Sequence, residues 1–285
     1  MSNAIIAYGN QIDVATLTGG SWLTTLPLTN LQDRKIGKVA RSTDATTASS
    51  KFDVDFGGTR LMRVIGLIGH NLTTAGKYRI RLSTVADFST TVLDSGWLDV
   101  WPIVYPSGTL PWGAPNWFTG TYSAEEIASY TGTITYILTA STNARYLRIE
   151  FDDTANTDGY VQLGRVFAGD GWQPVRNIVY GAALGWIDRT EVQEALSGHE
   201  SFNARRSPRV ARFGLEAMGE SEAMAVAFEL QRSMGVNKEL MFVWDPADTT
   251  HALRRQFLGR LRTLSPIENV GPDRWRAPFE VKELI

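Results

Sequence analysis

Aromatic side chains are concentrated in one proline-rich segment of the sequence. Residues 94–132 contain four of the nine tryptophans, interrupted by Pro102, Pro106, Pro111 and Pro115. Because proline cannot occupy a regular central strand or helix, we expect a long loop here. A loop of this length inside a compact domain is usually functional or ordered by a partner. The candidate site residues in it are Trp97, Trp101, Tyr105, Trp112 and Trp117.

The chemistry open to this loop is stacking and burial of aromatic rings. Aromatic faces pack against the apolar C–H faces of sugars, and Trp and Tyr also anchor protein interfaces. The segment therefore predicts one of three arrangements. Trp101, Trp112 and Trp117 form a saccharide platform, or they contact a neighbouring subunit, or they pack beneath their own loop.

A second polar cluster consists of Asp152, Asp153, Asn156 and Asp158. Carboxylate and amide oxygens are the ligands that Ca²⁺ prefers. The spacing does not match an EF-hand loop, because Gly159 follows the last acid instead of lying between the ligands. The segment Asn156–Gly159 is better explained as a turn, in which the glycine takes a positive φ, than as a metal site. We therefore predict a turn, and these four residues are only weak metal candidates.

Motifs of catalysis are absent from the sequence. The three histidines, His70, His199 and His251, are scattered, and there is no cysteine. The sequence contains no His-Glu-x-x-His, no Gly-x-Ser-x-Gly and no phosphate-binding glycine loop. Glycosidase acids usually come from separate strands, whereas the carboxylate pairs of this sequence, such as Asp152-Asp153, are adjacent. We therefore predict a protein that is not an enzyme and needs no cofactor.

Arginine is concentrated in the last third of the chain, where acids are interspersed with it. Arginine is enriched at protein interfaces because its planar guanidinium pairs with carboxylates and stacks on rings. A subunit interface and solvated strand faces are both consistent with this pattern. The net charge of −2 gives no global field for nucleic acid. The candidate interface residues are Arg205, Arg206, Arg209, Arg254 and Arg255.

Alternation of apolar and polar residues predicts short strands along most of the chain. One example is the segment 147–151, in which Leu, Ile and Phe alternate with Arg and Glu. The segment 220–234 has the clearest helical pattern, with acids in its first turn and Gly235 after its end. Its predicted apolar face consists of Met224, Ala227, Phe228 and Leu230.

These patterns predict a mainly β protein of two domains. Strand spacing over residues 1–168 favours an antiparallel jelly-roll β-sandwich. The order strand, helix, strands over residues 169–285 favours an α+β domain with one helix packed on a sheet. We place the boundary at Gly169-Asp170-Gly171, read as a short, polar and flexible linker.

Four separated blocks in the first domain resemble the discoidin-like, or galactose-binding-like, sandwich found in bacteriophage tail and baseplate proteins. The blocks are the leader LTNLQDRKIGKVARST, the strand ending in Asp55-Phe56-Gly57, the apolar strand ending in Gly69-His70-Asn71-Leu72, and the strand YRIRL. The later segment DGYVQLGRVFAG resembles the end of the same sandwich. The element order of the second domain resembles that of distal-tail and tail-tube domains. This second resemblance rests on element order alone.

The resemblance implies a structural component of a phage tail tip or baseplate. Its partners would be other tail or baseplate proteins in a homo-oligomeric ring, and a host cell-surface polysaccharide is a further candidate. The alternative is a stand-alone carbohydrate-binding, lectin-like protein. The sequence shows no signal-peptide pattern and no apolar run of membrane-spanning length. These absences predict synthesis in the host cytoplasm and no membrane insertion, and the resemblance implies a location in the virion.

Overall fold

The structure is a computed structural model in which residues 2–285 are described. The strands of the first part of the chain are β1 (Ile5–Tyr8), β2 (Thr16–Thr18), β3 (Ala40–Arg41), β4 (Phe52–Ile68), β5 (Lys77–Ser83), β6 (Thr91–Asp94), β7 (Leu98–Asp99), β8 (Thr133–Asp152), β9 (Gln162–Leu163) and β10 (Arg165–Trp172). Those that follow are β11 (Ala183–Trp186), β12 (Glu191–Glu194), β13 (Glu200–Asn203), β14 (Arg209–Met218), β15 (Leu240–Val243), β16 (Gln256–Leu261), β17 (Glu268–Gly271) and β18 (Arg274–Glu283).

Helices are few and mostly short. Two 3-10 turns lie at Gln11–Val14 and Leu28–Gln32, and the helices are α1 (Ala124–Ser129), α2 (Glu220–Glu222), a π-helical segment (Ala223–Phe228), α3 (Glu229–Met234) and α4 (Ala252–Arg255). The α2 helix, the π segment and α3 are continuous and form one helix of 15 residues, called here the long helix. With 41% strand and 12% helix, the predicted mainly β fold class is confirmed.

Two long strands, β4 and β8, bend to form the layers of the first half of the chain. Their pairing register shifts between Asp55 and Arg60, next to Gly57, whose φ of +71° suits glycine. The early part of β4 pairs with β2 and with the late part of β8, which also pairs with β5. The late part of β4 pairs with β10. One core receives side chains from both parts, including Phe52, Leu67 and Ile149.

The second half of the chain forms a sheet that continues from the first without interruption. Within the described residues there is one sheet of 14 strands, and 11 of them follow the order β11-β14-β18-β16-β15-β1-β10-β4-β8-β5-β6. The other three lie beside this path, where β17 pairs with β18, β2 with β4 and β7 with β5. All the pairings in it are antiparallel. The long helix packs on one face of this sheet through Ala223, Ala227, Leu230 and Met234. The helix therefore covers a sheet face, as the element order predicts.

The predicted linker Gly169-Asp170-Gly171 is part of a strand, so its interpretation as a flexible loop was wrong. These residues lie within β10, which pairs with β4 on one side and with β1 on the other. A Cβ atom on Gly171 would lie 2.7 Å from the Cγ2 atom of Ile5, so glycine allows the close approach of β1. The division into residues 1–168 and 169–285 remains an interpretation of the sequence.

Candidate functional site

The aromatic-rich segment begins with a buried anchor. The Trp101 side chain is buried, and its Nε1 donates a hydrogen bond to the Leu72 carbonyl oxygen at 3.1 Å. Its ring lies 5.5 Å from that of His70 and 6.3 Å from that of Tyr122. Trp101 therefore packs beneath its own loop, which is one of the three arrangements that the sequence left open, and it is not part of an exposed saccharide platform.

A polar network attaches the base of the loop to the segment before β16. Glu126 lies at the start of α1, where its side chain accepts hydrogen bonds from the Ser123 backbone N–H at 2.9 Å and the Tyr105 hydroxyl at 2.7 Å. Arg254 donates to the same carboxylate at 2.5 Å. Burial raises the pKa of Glu126, but these hydrogen bonds and the Arg254 charge outweigh it and lower the pKa. The carboxylate therefore stays ionised at neutral pH.

Tyr122 provides a second attachment from the loop to the later part of the chain. Its ring is buried, its hydroxyl donates to the Thr250 carbonyl oxygen at 2.6 Å, and the Arg254 guanidinium lies 5.5 Å above it. Burial raises the pKa of Tyr122, so the hydroxyl remains a hydrogen-bond donor. The loop base is thus held by contacts to residues far away in sequence.

Successive turns hold the outer part of the loop. Backbone hydrogen bonds run from Thr109 to Pro106 at 3.1 Å, from Ala114 to Pro111 at 3.1 Å and from Trp117 to Ala114 at 3.0 Å. The buried Asn116 side chain donates to the Thr121 carbonyl oxygen at 2.6 Å. Proline at the start of two of these turns fixes φ and reduces the conformational freedom of the loop.

Three aromatic side chains occupy the end of this loop, and they are called here the aromatic tip: Trp112, Trp117 and Phe118. Trp112 is 84% exposed and Phe118 is 93% exposed, while Trp117 is half-buried. The rings of Trp112 and Trp117 are 5.4 Å apart and nearly perpendicular, at 69°. Trp117 therefore contacts the Trp112 ring, most of which remains exposed to solvent.

The remaining candidates of the aromatic segment lie elsewhere. Trp97 is exposed between β6 and β7 and belongs to none of the aromatic ring pairs found within residues 2–285. Tyr105 is half-buried and committed to Glu126. Phe118 was missing from the predicted site, although its position beside Trp117 in a proline-rich loop was a signal for it.

The acidic cluster is divided between buried and exposed positions. The buried Asp153 carboxylate accepts hydrogen bonds from the Thr73 backbone N–H at 2.9 Å, the Thr73 hydroxyl at 2.6 Å and Asn156 at 2.9 Å. Asp158 instead accepts from Asn71 at 2.9 Å, and Asp152 lies at the end of β8. Gly159 has a φ of +76°, as the predicted turn requires. Among residues 2–285, no group of three or more His, Cys, Asp or Glu side chains is placed to hold a metal ion.

The candidate interface arginines separate into intramolecular and surface positions. Arg209 is buried within its own chain and pairs with Glu283 at 2.5 Å, so its prediction as a subunit-interface residue was wrong. Arg254 pairs with Glu126 at 2.5 Å and Arg255 with Asp248 at 2.6 Å. The exposed Arg205 pairs with Glu191 at 2.6 Å, and Arg206 is also exposed. An interface role for the surface residues remains a prediction.

No model of a known protein family matches the sequence, and no curated protein matches it. Solved structures do resemble it. One is a carbohydrate-binding module, CBM32-1, from a family 31 glycoside hydrolase of Clostridium perfringens, with 12% identity and a TM-score of 0.37. The alignment covers 57% of this chain and 99% of that chain.

Two further similar structures are a galactose complex of a carbohydrate-binding module and a fucose binding module. The family 32 module of C. perfringens NanJ in complex with galactose has 15% identity and a TM-score of 0.37, over 58% of this chain and 99% of that chain. A Streptococcus pneumoniae fucose binding module has 14% identity and a TM-score of 0.36, over 56% and 94%. With TM-scores below 0.5, these similarities do not assign a ligand to this chain.

Helices of the described part of the chain, residues 2–285, are all too short or too polar to cross a lipid bilayer.

Proposed function

We propose that this protein binds carbohydrate, without catalysis, through the aromatic tip. The observation that carries the proposal is the exposure of the Trp112 and Phe118 rings on a loop held by successive turns and a buried base. Exposed aromatic faces stack on the C–H faces of sugars and offer contact area at little cost in side-chain entropy. A loop that is already ordered loses little further conformational entropy when a ligand binds.

Calorimetric titration of the full chain with oligosaccharides from bacterial surfaces tests this proposal. We expect heat of binding in the wild type and a loss of about tenfold or more in affinity for Trp112→Ala and for Phe118→Ala, because each removes a stacking face. Trp97→Ala is the matched control, since it removes an exposed tryptophan outside the aromatic tip.

The control variant should bind as the wild type does, and all variants should keep the wild-type circular dichroism spectrum. A wild type that releases no heat with any of these glycans would refute carbohydrate binding. Equal losses in Trp97→Ala and Trp112→Ala would place the binding site outside the aromatic tip.

A second candidate function is the structural tail-tip or baseplate subunit implied by the sequence resemblance. The observation that favours it is the fully exposed hairpin formed by β12 and β13, because an extended exposed segment suits assembly with other chains. Its test is electron microscopy of purified phage particles with antibody against this chain. Label at the tail tip would support the structural role, and expressed protein that never enters particles would contradict it.

A further inference from the structure

Residues 190–204 form a hairpin, called here the acidic arm, that stands apart from the large sheet. Within residues 2–285, β12 and β13 pair with each other and with no other strand. Every residue of both strands is exposed, including Val192 at 55% and Phe202 at 63%. A two-stranded hairpin without further packing is at best marginally stable in water. The acidic arm therefore lacks the packing that would stabilise it in a single chain.

One face of the acidic arm combines apolar groups with negative charge. The register places Val192 opposite Phe202 and Glu194 opposite Glu200, and the two-residue period puts all four on the same face. Like charges directly opposite each other destabilise a strand pair. The arm contains three glutamates and neither lysine nor arginine. Its Glu194–Glu200 pair therefore favours a cationic partner.

A sheet face elsewhere on the chain has the opposite charge. It is called here the basic face, and its residues are Arg212, Arg260, Arg262 and Lys282. These side chains point away from the face that packs on the long helix, because Ala211, Leu261 and Val281 alternate with them and are buried.

Positive charge on the basic face exceeds its negative charge. One acid, Glu280, lies among these cations. Its Oε1 accepts hydrogen bonds from Arg212 Nε at 2.8 Å and from Arg262 Nη1 at 2.7 Å. Arg260 lies directly opposite Lys282 in the register, which is again a destabilising pair of like charges. Burial lowers the pKa of Lys282, and the charges of Arg260, Arg189 and Arg262 lower it further. An added carboxylate would therefore relieve repulsion on this face.

We propose that the acidic arm of one copy of this protein docks on the basic face of a second copy. The Glu194–Glu200 pair then meets the Arg260–Lys282 pair, and each relieves the like-charge repulsion of the other. The basic face also has one exposed apolar neighbour, Val236, for Val192 and Phe202. Arg260 donates to the Val236 carbonyl oxygen at 3.1 Å, and the Val236 side chain is partly exposed.

Docking in this way joins two different surfaces of identical chains. Such heterologous contacts repeat from copy to copy and generate closed rings or open filaments. Within one chain the arm does not cover the basic face, because all residues of β12 and β13 are exposed. The proposal is independent of carbohydrate binding, since it uses none of the residues of the aromatic tip.

Sedimentation velocity of the full chain at several protein and salt concentrations tests the proposal. For the wild type we expect a mass that rises with protein concentration and falls as salt is raised from about 0.1 M to 1 M, because screening shortens the reach of charge from about 10 Å to 3 Å. Charge reversal by Glu194→Lys with Glu200→Lys should weaken association by about tenfold or more. Arg260→Glu with Lys282→Glu should do the same.

Mixing the two double variants is the decisive measurement. Each arm then meets a face of opposite charge, so the mixture should associate as the wild type does. Glu125→Lys is the control, because it reverses an exposed acid outside the arm, and it should leave association unchanged. Circular dichroism checks that every variant is folded.

Three results would overturn the proposal. They are a wild type that stays monomeric at every concentration, an association that the arm reversal leaves unchanged, and folded double variants that fail to associate when mixed. A mixture that associates while each variant alone is monomeric would establish the contact.

Discussion

Residues of the same type are buried at one position of this protein and exposed to solvent at another. Trp101 is buried and donates a hydrogen bond to a backbone carbonyl, whereas Trp112 in the same loop is 84% exposed. Arg209 and Arg205 differ in the same way, because Arg209 pairs with buried Glu283 and Arg205 with exposed Glu191. The residue type predicts which contacts a side chain can make. The tertiary fold determines which of these contacts form, because it brings the partner residues close.

His70 gives the clearest prediction at the scale of one residue. Its Nε2 is enclosed and has no hydrogen-bond partner within residues 2–285, and burial lowers the pKa of its imidazole to about 4. In the unfolded chain the histidine pKa is about 6.5, so the unfolded state binds the proton more readily. The contribution of neutral His70 to the free energy of unfolding is therefore complete above about pH 6.5. It is lost progressively as the pH falls towards 4, because the unfolded chain is protonated first.

Urea denaturation between pH 7.5 and pH 5 measures this effect. We expect the free energy of unfolding to fall by about 1 to 2 kcal/mol over that range, in which most carboxylates remain ionised. His70→Asn should remove most of the pH dependence, whereas His199→Asn, at an exposed position, should retain it. A wild type whose stability is constant over this range would contradict the assigned pKa.

At the scale of elements, the long helix shows where a periodic pattern succeeds and where it fails. The sequence pattern predicted both its bounds and its packing on a sheet, and the structure agrees. Its predicted apolar face was partly wrong, because Phe228 is 53% exposed while Ala223 and Met234 are buried. The π-helical segment Ala223–Phe228 has a wider turn than an α-helix, so positions along it rotate differently from the regular 3.6-residue period.

Ala227 allows a test of how the long helix packs on the sheet. The residue is fully buried against the sheet, so Ala227→Leu should force the helix and the sheet apart. Overpacking of this kind costs about 1 to 3 kcal/mol of unfolding free energy. Ala225→Leu adds the same atoms at an exposed position and should change stability by less than about 0.5 kcal/mol. Urea denaturation compares the two, and equal effects would mean that the helix does not pack through Ala227.

At the scale of the whole molecule, β1 and β10 connect the two halves of the chain. Ile5 and Ala7 lie in a core with Val64 and Met241, while Ile6 lies in the core beneath the long helix. Arg165 in β10 adds a buried contact, because it donates to Glu239 at 3.1 Å and to the Leu31 carbonyl oxygen at 2.8 Å. Removing either half would leave these groups without partners.

Continuity of the sheet predicts one cooperative unfolding transition. Since the cores share β1 and β10, we expect tryptophan fluorescence and far-UV circular dichroism to report the same urea midpoint. Calorimetry should likewise show a single peak whose calorimetric and van't Hoff enthalpies agree. Two separated transitions would instead support independent domains divided near residue 168.

Sequence patterns were sufficient to predict the mainly β class, the long helix, the aromatic loop and the turn at Gly159. These features depend on local signals, namely alternation, helix periodicity, proline and glycine, which act over a few residues. The tertiary structure alone decided that Gly169–Gly171 is a strand, that Trp101 and Arg209 are buried, and that the acidic arm is exposed. Each of these depends on partners distant in sequence, such as Ile5 beside Gly171 and Glu283 beside Arg209. A glycine that allows close packing and a glycine in a flexible linker have the same local signature, and only the neighbouring strand distinguishes them.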